Sequence, residues 1–554
     1  MRKIVLFISL LVTLTSFARE RTLTEIREAA SSILEEKTNR ALSTTSPLQV
    51  VVRRDMLTVL SNKKQFAIIA NDDAFFAVVG YADGEFSENN SSLAWYINAV
   101  DESMRAAKSM SSMRRAQVIP DLTRFKSNIE PLLKTTWNQG APYNNLCPMH
   151  SNGNNYPTGC VATAISQIMK YHSYPTKGIG SHQYAFVPAS GDGRIISADF
   201  GATTYGWNKM LDNYTKGNYT DEEANEVATI MLHCGVSVDM QYTPTGSGAY
   251  SSEARSGLIK YFGYNENIGI VYRQYYSLEQ WMDMVYTELN KNRPIYYSGS
   301  DASEGGHAFV IDGYDANGLV HVNWGWGPDG GNGFFDITML NPKNYRFSNG
   351  QNMLLGIDLP TTEIEYESHL VSDNSMSVSK IAKMLNVTVG QSIWNLNGDA
   401  WEGELAVILE GEGHTYLLSQ GTVSKTNNLY NVLNNTNPSV DGVLKLPSGI
   451  ADGVYRLYVG AKNSRDKRWQ LVRRSEGQVN SYQVTITDGT INSLVSDASD
   501  TWKDTPTAIQ VITAKESNGN TVRYYDLQGR EVSPSTKGLL IRKQGNEVKK
   551  VIVR

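Results

Sequence analysis

The sequence predicts a multi-unit α+β protein, and three observations carry that reading. At 554 residues the chain is too long for one hydrophobic core, so three or four domains are expected. Between Pro131 and Ile337 helical apolar spacing comes first and antiparallel strand alternation afterwards, the order of an α+β unit. From Thr361 onward, short alternating segments are separated by turn residues at sandwich-like intervals. The net charge of −5 leaves no basic footprint, so no nucleic-acid partner is expected, and the chain is read as a monomer.

Arg2 and Lys3 precede the apolar run Ile4–Leu14 and the small-x-small exit Ser16-Phe17-Ala18. Residues 1–18 are therefore predicted to be a secretory signal cleaved after Ala18. The run is too short for a comfortable membrane span and no later stretch approaches eighteen apolar residues, so an exported protein is expected. Residues 19–125 form the next unit. Arg19–Ala41 is charged and helix-like, and Gln49–Ala82 alternates as short strands around an Asn71-Asp72-Asp73 turn. Ser91–Met113 returns to helical spacing through Leu93, Ile97, Val100 and Met104. Residues 112–130 are polar, include Arg114-Arg115, and read as an exposed linker open to proteolysis.

Residues 126–360 carry the chemistry. Pro131–Asn145 reads as helix-like and turn segments. Tyr156–Pro175 (YPTGCVATAISQIMKYHSYP) reads as a turn delivering Cys160 to a helix whose inward face is Val161, Ala164, Ile165, Ile168 and Met169. Further helices are expected over Glu222–Val238, Glu253–Phe262 and Ser277–Asn290, and strands over Ile295–Ser298, His307–Tyr314, Leu319–Trp324 and Phe334–Ile337. Residues 361–490 read as one immunoglobulin-like β-sandwich, with strands at Leu405–Leu409, Thr415–Leu418, Val454–Val459, Trp469–Val472 and Tyr482–Ile486. Asp488–Gly519 is Ser/Thr/Asp-rich linker. Residues 491–554 thus comprise linker and a final string of small hairpins.

Three cysteines occur, Cys147, Cys160 and Cys234. The odd number leaves at least one free thiol; Cys147–Cys234 is the pair if one forms, and a wholly unbridged chain is equally open. No cluster has metal-ligand spacing, so no metal or cofactor is expected. Cys160 at a first helical turn lies beside unpaired N–H groups and the positive end of the dipole, which predicts a stabilised, nucleophilic thiolate. Small residues Gly159, Ala162 and Ala164 permit close approach of another layer. A lone cysteine is ordinarily structural, and two other stretches raise this one above that reading.

The first is Glu304–Gly327 (EGGHAFVIDGYDANGLVHVNWGWG). His307 opens an apolar strand and the Asp315–Gly318 turn returns the chain along Leu319–Trp324, which makes His307 and Asn323 near neighbours in an open register. A cysteine nucleophile needs a base, and the base a group that orients it. Cys160, His307 and Asn323 supply those types, and Trp324 is placed to shield a His–Asn bond from water. The second is Thr136–Gly140 (TWNQG), where the Gln139 amide and the Cys160 N–H are two donors for an oxyanion. His172 lies more than three helical turns from Cys160 and reads as a packing or capping residue. His321 shares a strand face with Asn323 and is the stronger decoy. Asp312 is a second candidate to orient His307, and Asp221-Glu222-Glu223 reads as dipole-favouring acids of a first turn.

TGCVATAISQIMKYHSYP, GGHAFVIDGY, HVNWGWG, SVDMQYTPTGSGA and WNQGAPYN resemble the streptopain family of secreted bacterial cysteine peptidases, which includes the interpain-type enzymes, over residues 130–358. FAIIANDDAFFAVVGYADGEF within 45–105 is similar to that family's inhibitory pro-domain. The resemblance implies a papain-like two-subdomain catalytic unit over 126–360 and a zymogen whose pro-domain (19–125) covers the cleft and displaces the histidine. It implies Cys160 as nucleophile, His307 as general base, Asn323 as orienting residue, Trp324 as its shield and Gln139 as oxyanion donor. It also implies extended protein substrates with an apolar side chain two residues before the cut. Gly306, Val238, Thr245, Gly246, Ser247 and Ala249 are then the candidate substrate-binding residues. Pro328-Asp329 interrupts the Gly run after Trp326, and the Ser300–Glu304 loop varies in length, which leaves the mobile loop and subsites open. The C-terminal YYDLQGREV…KGLLIR…KKVIV resembles the sorting domain of Bacteroidetes cargo exported by the type nine route, implying outer-membrane secretion machinery as partner and a released or cell-attached product. Two other readings use the same residues: a cysteine-dependent acyltransferase or amidase, and a surface adhesin carrying a relic catalytic unit.

Overall fold

Thr22 and Glu25 close a capping box, with Thr22 N–H donating to Glu25 Oε2 at 2.7 Å, and start helix α1 (Leu23–Thr38). Its apolar stripe, Ile26, Ala30, Ile33 and Leu34, covers Leu60, Ala67 and Ile69 of a four-stranded meander. Those strands are β1 (Gln49–Arg53), β2 (Leu57–Ser61), β3 (Gln65–Ala70) and β4 (Val78–Asp83). By strand alternation the opposite face presents Leu57, Val59, Phe66 and Ile68 to α2 (Ser91–Ser109), which contributes Leu93, Tyr96, Ile97, Val100 and Met104. The structure, a computed structural model, describes residues 19–38, 47–109, 122–188, 193–215, 217–301, 305–340 and 350–498, and near the C-terminus 522–525, 531–533, 538–544 and 547–553. The expected signal (1–18), Arg114-Arg115 and residues 302–304 lie outside the described residues. So does most of the expected linker, residues 499–521.

The following residues extend the same sheet. Helices α3 (Cys160–His172), α4 (Asp221–Ser237), α5 (Ser251–Lys260) and α6 (Leu278–Asn290) alternate with the hairpin β5 (Ser181–Phe186)/β6 (Arg194–Asp199) and strands β7 (Gly269–Tyr272), β8 (Ile295–Asp301), β9 (Gly305–Tyr314), β10 (Val320–Asn323), β11 (Gly333–Phe335) and β12 (Asn352–Leu355). The resulting ten-stranded order is β1-β2-β3-β4-β11-β10-β9-β8-β12-β7. The junction pairs Gly333 with Ala82, Phe334 with Tyr81 and Phe335 with Gly80. Any side chain at Gly333 would collide with the Tyr81 carbonyl and the Ala82 side chain, so glycine is what allows the two strands to meet. Strand β9 divides two cores by alternation: Phe309 and Ile311 face the one shared with α2 and α6, and Ala308 and Val310 face the one built by α3, α4 and α5.

Of the helix-like and turn segments expected over Pro131–Asn145, the turn is present at residues 141–146, whereas the segment 131–137 is not helical. Its backbone donors go to distant partners: Leu132 N–H to Asp312 O, Leu133 N–H to Asp312 Oδ2, Thr136 N–H to Asp212 O and Trp137 N–H to Gln167 Oε1. With those donors spent, no i to i−4 ladder remains to be made. The acidic triplet heads α4 in a capping box, where Thr220 Oγ1 accepts from Glu223 N–H. Cys147 and Cys234 are both buried free thiols.

Residues after Thr361 pack a seven-stranded and two three-stranded sheets around one core that includes Leu405, Val407, Leu409, Leu457, Val459 and Val484. Thr490–Asp497, within the segment expected to be linker, is instead a strand paired with Ser481–Thr487. Its polar alternation (TINSLVSD) resembles linker composition, yet Ile491 is buried. The chain divides into two compact units at Asp500–Thr501, and the described residues of the second form a four-stranded antiparallel sheet.

Edge strand β7 does not face water freely. Gly269 lies against His369, and the preceding loop is tied to the linker by Asn267 Nδ2 donating to Ile364 O at 2.7 Å and Asn265 Nδ2 to Thr362 O at 2.7 Å. Arg255 of α5 is buried; its Nε donates to Ile268 O and its Nη1 to the carboxylate of Asp399 in the sandwich. Replacing Asp399 by Ala leaves that guanidinium with half its partners, a loss of about 1–3 kcal/mol for a buried charged group. The expected outcome is a lower urea midpoint for the first compact unit, reported by tryptophan fluorescence, with Asp399→Asn intermediate.

Candidate active site

Gly159 precedes α3 with φ 89°, and a Cβ there would lie 2.7 Å from Met240 Sδ and 2.9 Å from the Ser247 carbonyl. Only glycine combines that left-handed backbone with so close an approach. Cys160 follows as the first helical residue, and the N–H groups of Ala308, Val161 and Cys160 itself favour its ionised form. Those donors favour a thiolate, but burial outweighs them and the thiol is raised above its ordinary 9.0. The thiolate expected at this helix mouth is therefore not the resting form here. Tyr296, hydrogen-bonded to Ser251 at 3.2 Å, lies close enough for its ionisation and that of Cys160 to oppose each other.

His307 stands on β9 one residue before Ala308. Its Nε2 lies 2.9 Å from the carbonyl oxygen of Trp324. A carbonyl only accepts, so Nε2 carries the proton, and Nδ1 of the neutral ring keeps its lone pair. The ring lies in an aromatic box, stacked toward Phe309 (6.0 Å), Trp326 (6.1 Å) and Trp324 (6.4 Å). Loss of hydration there lowers His307 to about 4. Both shifts favour the neutral thiol and the neutral ring. The pair is held neutral.

Asn323 does not meet His307. A register shift between His321 and Val322 places Asn323 opposite Val310, three residues beyond the histidine. Its side chain faces the interior: Nδ2 donates to Thr135 O at 2.7 Å and Gln167 Oε1 at 3.2 Å, and Oδ1 accepts from Gly325 N–H at 3.1 Å and Gln167 Nε2 at 3.3 Å. The next residue, Trp324, provides the contact to His307 through its backbone. There is accordingly no His–Asn bond for Trp324 to shield. Its buried indole instead packs on Phe309, Phe335 and the α2 residue Tyr96.

Gln139 is buried, and its carbonyl accepts from Thr158 N–H at 3.0 Å, two residues before Cys160. The other candidates sort by position. Val238 is buried in the core at the end of α4. Ser247 is buried and donates to Pro157 O at 2.7 Å, so it anchors the turn before Cys160. Thr245, Gly246 and Gly306 are exposed, and Ala249 is half-buried against the second core. Asp312 pairs with His321 (Nδ1 to Oδ1, 2.6 Å) rather than with His307, and His172 packs on Tyr264. Gln167 and the Trp324 carbonyl were not anticipated. Gln167 was legible as a polar residue two turns from Cys160, on a face otherwise apolar. Among the described residues no cluster of three His, Cys, Asp or Glu side chains is arranged to hold a metal, and no helix is long and apolar enough to cross a membrane.

The Peptidase C10 family matches residues 137–335. The thiol protease/hemagglutinin PrtT of Porphyromonas gingivalis is 33% identical over 362 residues, which is 59% of this chain and 41% of that protein. The chain thus spans less than half of PrtT. Streptopain of Streptococcus pyogenes is 33% identical over 291 residues, 50% of this chain and 72% of its own length. The solved structure of a Prevotella intermedia prointerpain A fragment is 43% identical with a TM-score of 0.52, covering 56% of this chain and 98% of the fragment.

Four shielded imidazoles, His172, His233, His307 and His369, are each lowered to about 4. An unfolded imidazole takes its proton near 6.5, so between about 6.5 and 4 the unfolded chain binds more protons than the folded one. Stability is full above that window and falls as pH drops through it. A Cys160→Ala chain is expected to melt at lower temperature at pH 4.5 than at pH 7.5. Raising the pH again should restore the midpoint.

Proposed function

The chain belongs to the peptidase C10 family, and from that premise we propose that it is the zymogen of a papain-like cysteine endopeptidase acting on extended protein chains. The single observation that carries the reading is the tautomer of His307. With Nε2–H given to the Trp324 carbonyl, Nδ1 is left as a base on β9, the strand against which α3 and its Cys160 pack and whose Ala308 N–H favours the thiolate.

In the active form Nδ1 takes the thiol proton and the thiolate attacks the peptide carbonyl. The Cys160 N–H and the Gln139 side-chain amide hold the oxyanion. His307 then returns its proton to the leaving amine, and water clears the thioester. The Trp324 carbonyl orients the imidazole in place of Asn323, which does not reach His307 and instead fixes Gly325 behind that carbonyl. The two cores that meet at β9 serve as the two subdomains of the catalytic unit. An apolar side chain two residues before the cut is received beside Thr245–Ala249 and Trp324.

We assign residues 19–125 as the inhibitory pro-domain and 126–360 as the peptidase. Latency follows from burial: while β4 pairs with β11 and Tyr96 covers Trp324, the half-buried thiol and imidazole are both held toward their neutral forms. Removing the pro-domain admits water and brings the two pKa values together. The leader at 1–18 and a sorting domain within 491–554 would take the protein out of the cell by a type nine-like route.

Cys160→Ala is expected to give a precursor that is never processed and shows at least a ~10³-fold loss of casein hydrolysis. The unsubstituted protein should be processed and its casein activity blocked by an epoxide-type thiol inhibitor. Normal processing and activity in the variant would remove the assignment, and turnover of small amides without casein cleavage would favour an amidase.

A further inference from the structure

Gln167 lies on α3 two turns below Cys160 and is fully buried. Its amide makes three hydrogen bonds, each to a segment that carries a group of the site. Oε1 accepts from Trp137 N–H at 3.1 Å, in the segment that leads to Gln139. Oε1 also accepts from Asn323 Nδ2 at 3.2 Å, and Nε2 donates back to Asn323 Oδ1 at 3.3 Å, immediately before Trp324. The two amides thus face each other reciprocally, the way a pair of carboxamides satisfies both partners without charge. Asn323 completes the bracket by accepting from Gly325 N–H and donating to Thr135 O.

We infer that Gln167 is the positioning residue that sets the nucleophile, the oxyanion donor and the support of the general base at fixed separations. The inference rests on the peptidase reading above. Gln167 touches neither substrate nor reacting atoms; it acts through the segments it joins. A buried polar bracket of this kind tolerates one hydrogen-bonding pattern only, because every alternative leaves a donor or acceptor unpaired in the interior. An apolar residue of the same length would keep the packing and release the registration. Misplacing reacting groups by fractions of an ångström slows the chemical step more than it weakens substrate binding.

Two substitutions test this in the processed enzyme. Gln167→Met is expected to lower kcat by roughly 10- to 100-fold with KM within about twofold. Gln167→Glu is isosteric. Protonated, its carboxyl still accepts from Trp137 and Asn323 and donates to Asn323 Oδ1; ionised, it sets an oxygen against Asn323 Oδ1. Its kcat should therefore approach the unsubstituted value at acid pH and fall along an added limb as pH rises, a profile that a merely structural role would not produce. If Gln167→Met fails to fold, the Gln167→Glu profile decides alone. Unsubstituted kcat in Gln167→Met, or a Gln167→Glu profile parallel to that of the unsubstituted enzyme, overturns the inference while the peptidase reading stands. Absence of casein cleavage by the unsubstituted processed enzyme overturns that reading instead.

Discussion

One sheet shared by two segments of chain is the constraint on which the site depends. The junction of β4 and β11 is short, three residue pairs. Its hydrogen bonds are worth about 1 kcal/mol each after exchange with water. The aromatic side chains gathered beside it, Tyr96, Trp324 and Phe335, each bury on the order of 150–250 Å², which at roughly 25 cal/mol per Å² is several kcal/mol apiece. Burial supplies the affinity and the ladder supplies the register. Asn90, just before α2, reinforces this by donating to the Gly330 carbonyl in the loop ahead of β11.

The same contacts set the electrostatics. A helix N-terminus favours a thiolate by less than burial withdraws, so Cys160 is raised although the N–H groups of Ala308, Val161 and Cys160 itself favour the ionised form. His307 is lowered by its aromatic box despite donating to a carbonyl, a bond that favours the charged ring. Both shifts act in one direction, toward a neutral pair. Dipole and hydrogen bonds prepare the site for the ionised state, and burial withholds it.

Most helices and the strands bearing the chemistry were legible because their apolar periods are long. Examples are α3, from Val161 through Met169, and β9, from Ala308 through Ile311. What stayed hidden had physical causes. A bulge between His321 and Val322 is invisible to alternation, yet it turns Asn323 inward and hands His307 to a backbone oxygen that no side-chain pattern encodes. The segment 131–137 has helical spacing, but its donors are claimed by Asp312, Asp212 and Gln167 from distant parts of the chain. Helix propensity cannot anticipate such claims. The thiol shift was missed because the sequence shows what surrounds Cys160 along the helix and not what is stacked over it.

Along the opposite border of the sheet, Arg255 reaches Asp399, Tyr275 donates to Asp373 at 2.9 Å, and the guanidinium of Arg473 lies 4.3 Å over the Tyr276 ring. These attachments, with the amides of Asn265 and Asn267 holding residues 362–364, fasten the sheets after Thr361 to β7 and α5 at several separate points. The border strand that would otherwise lie open is thereby spoken for, and the later sheets share their footing with the earlier one.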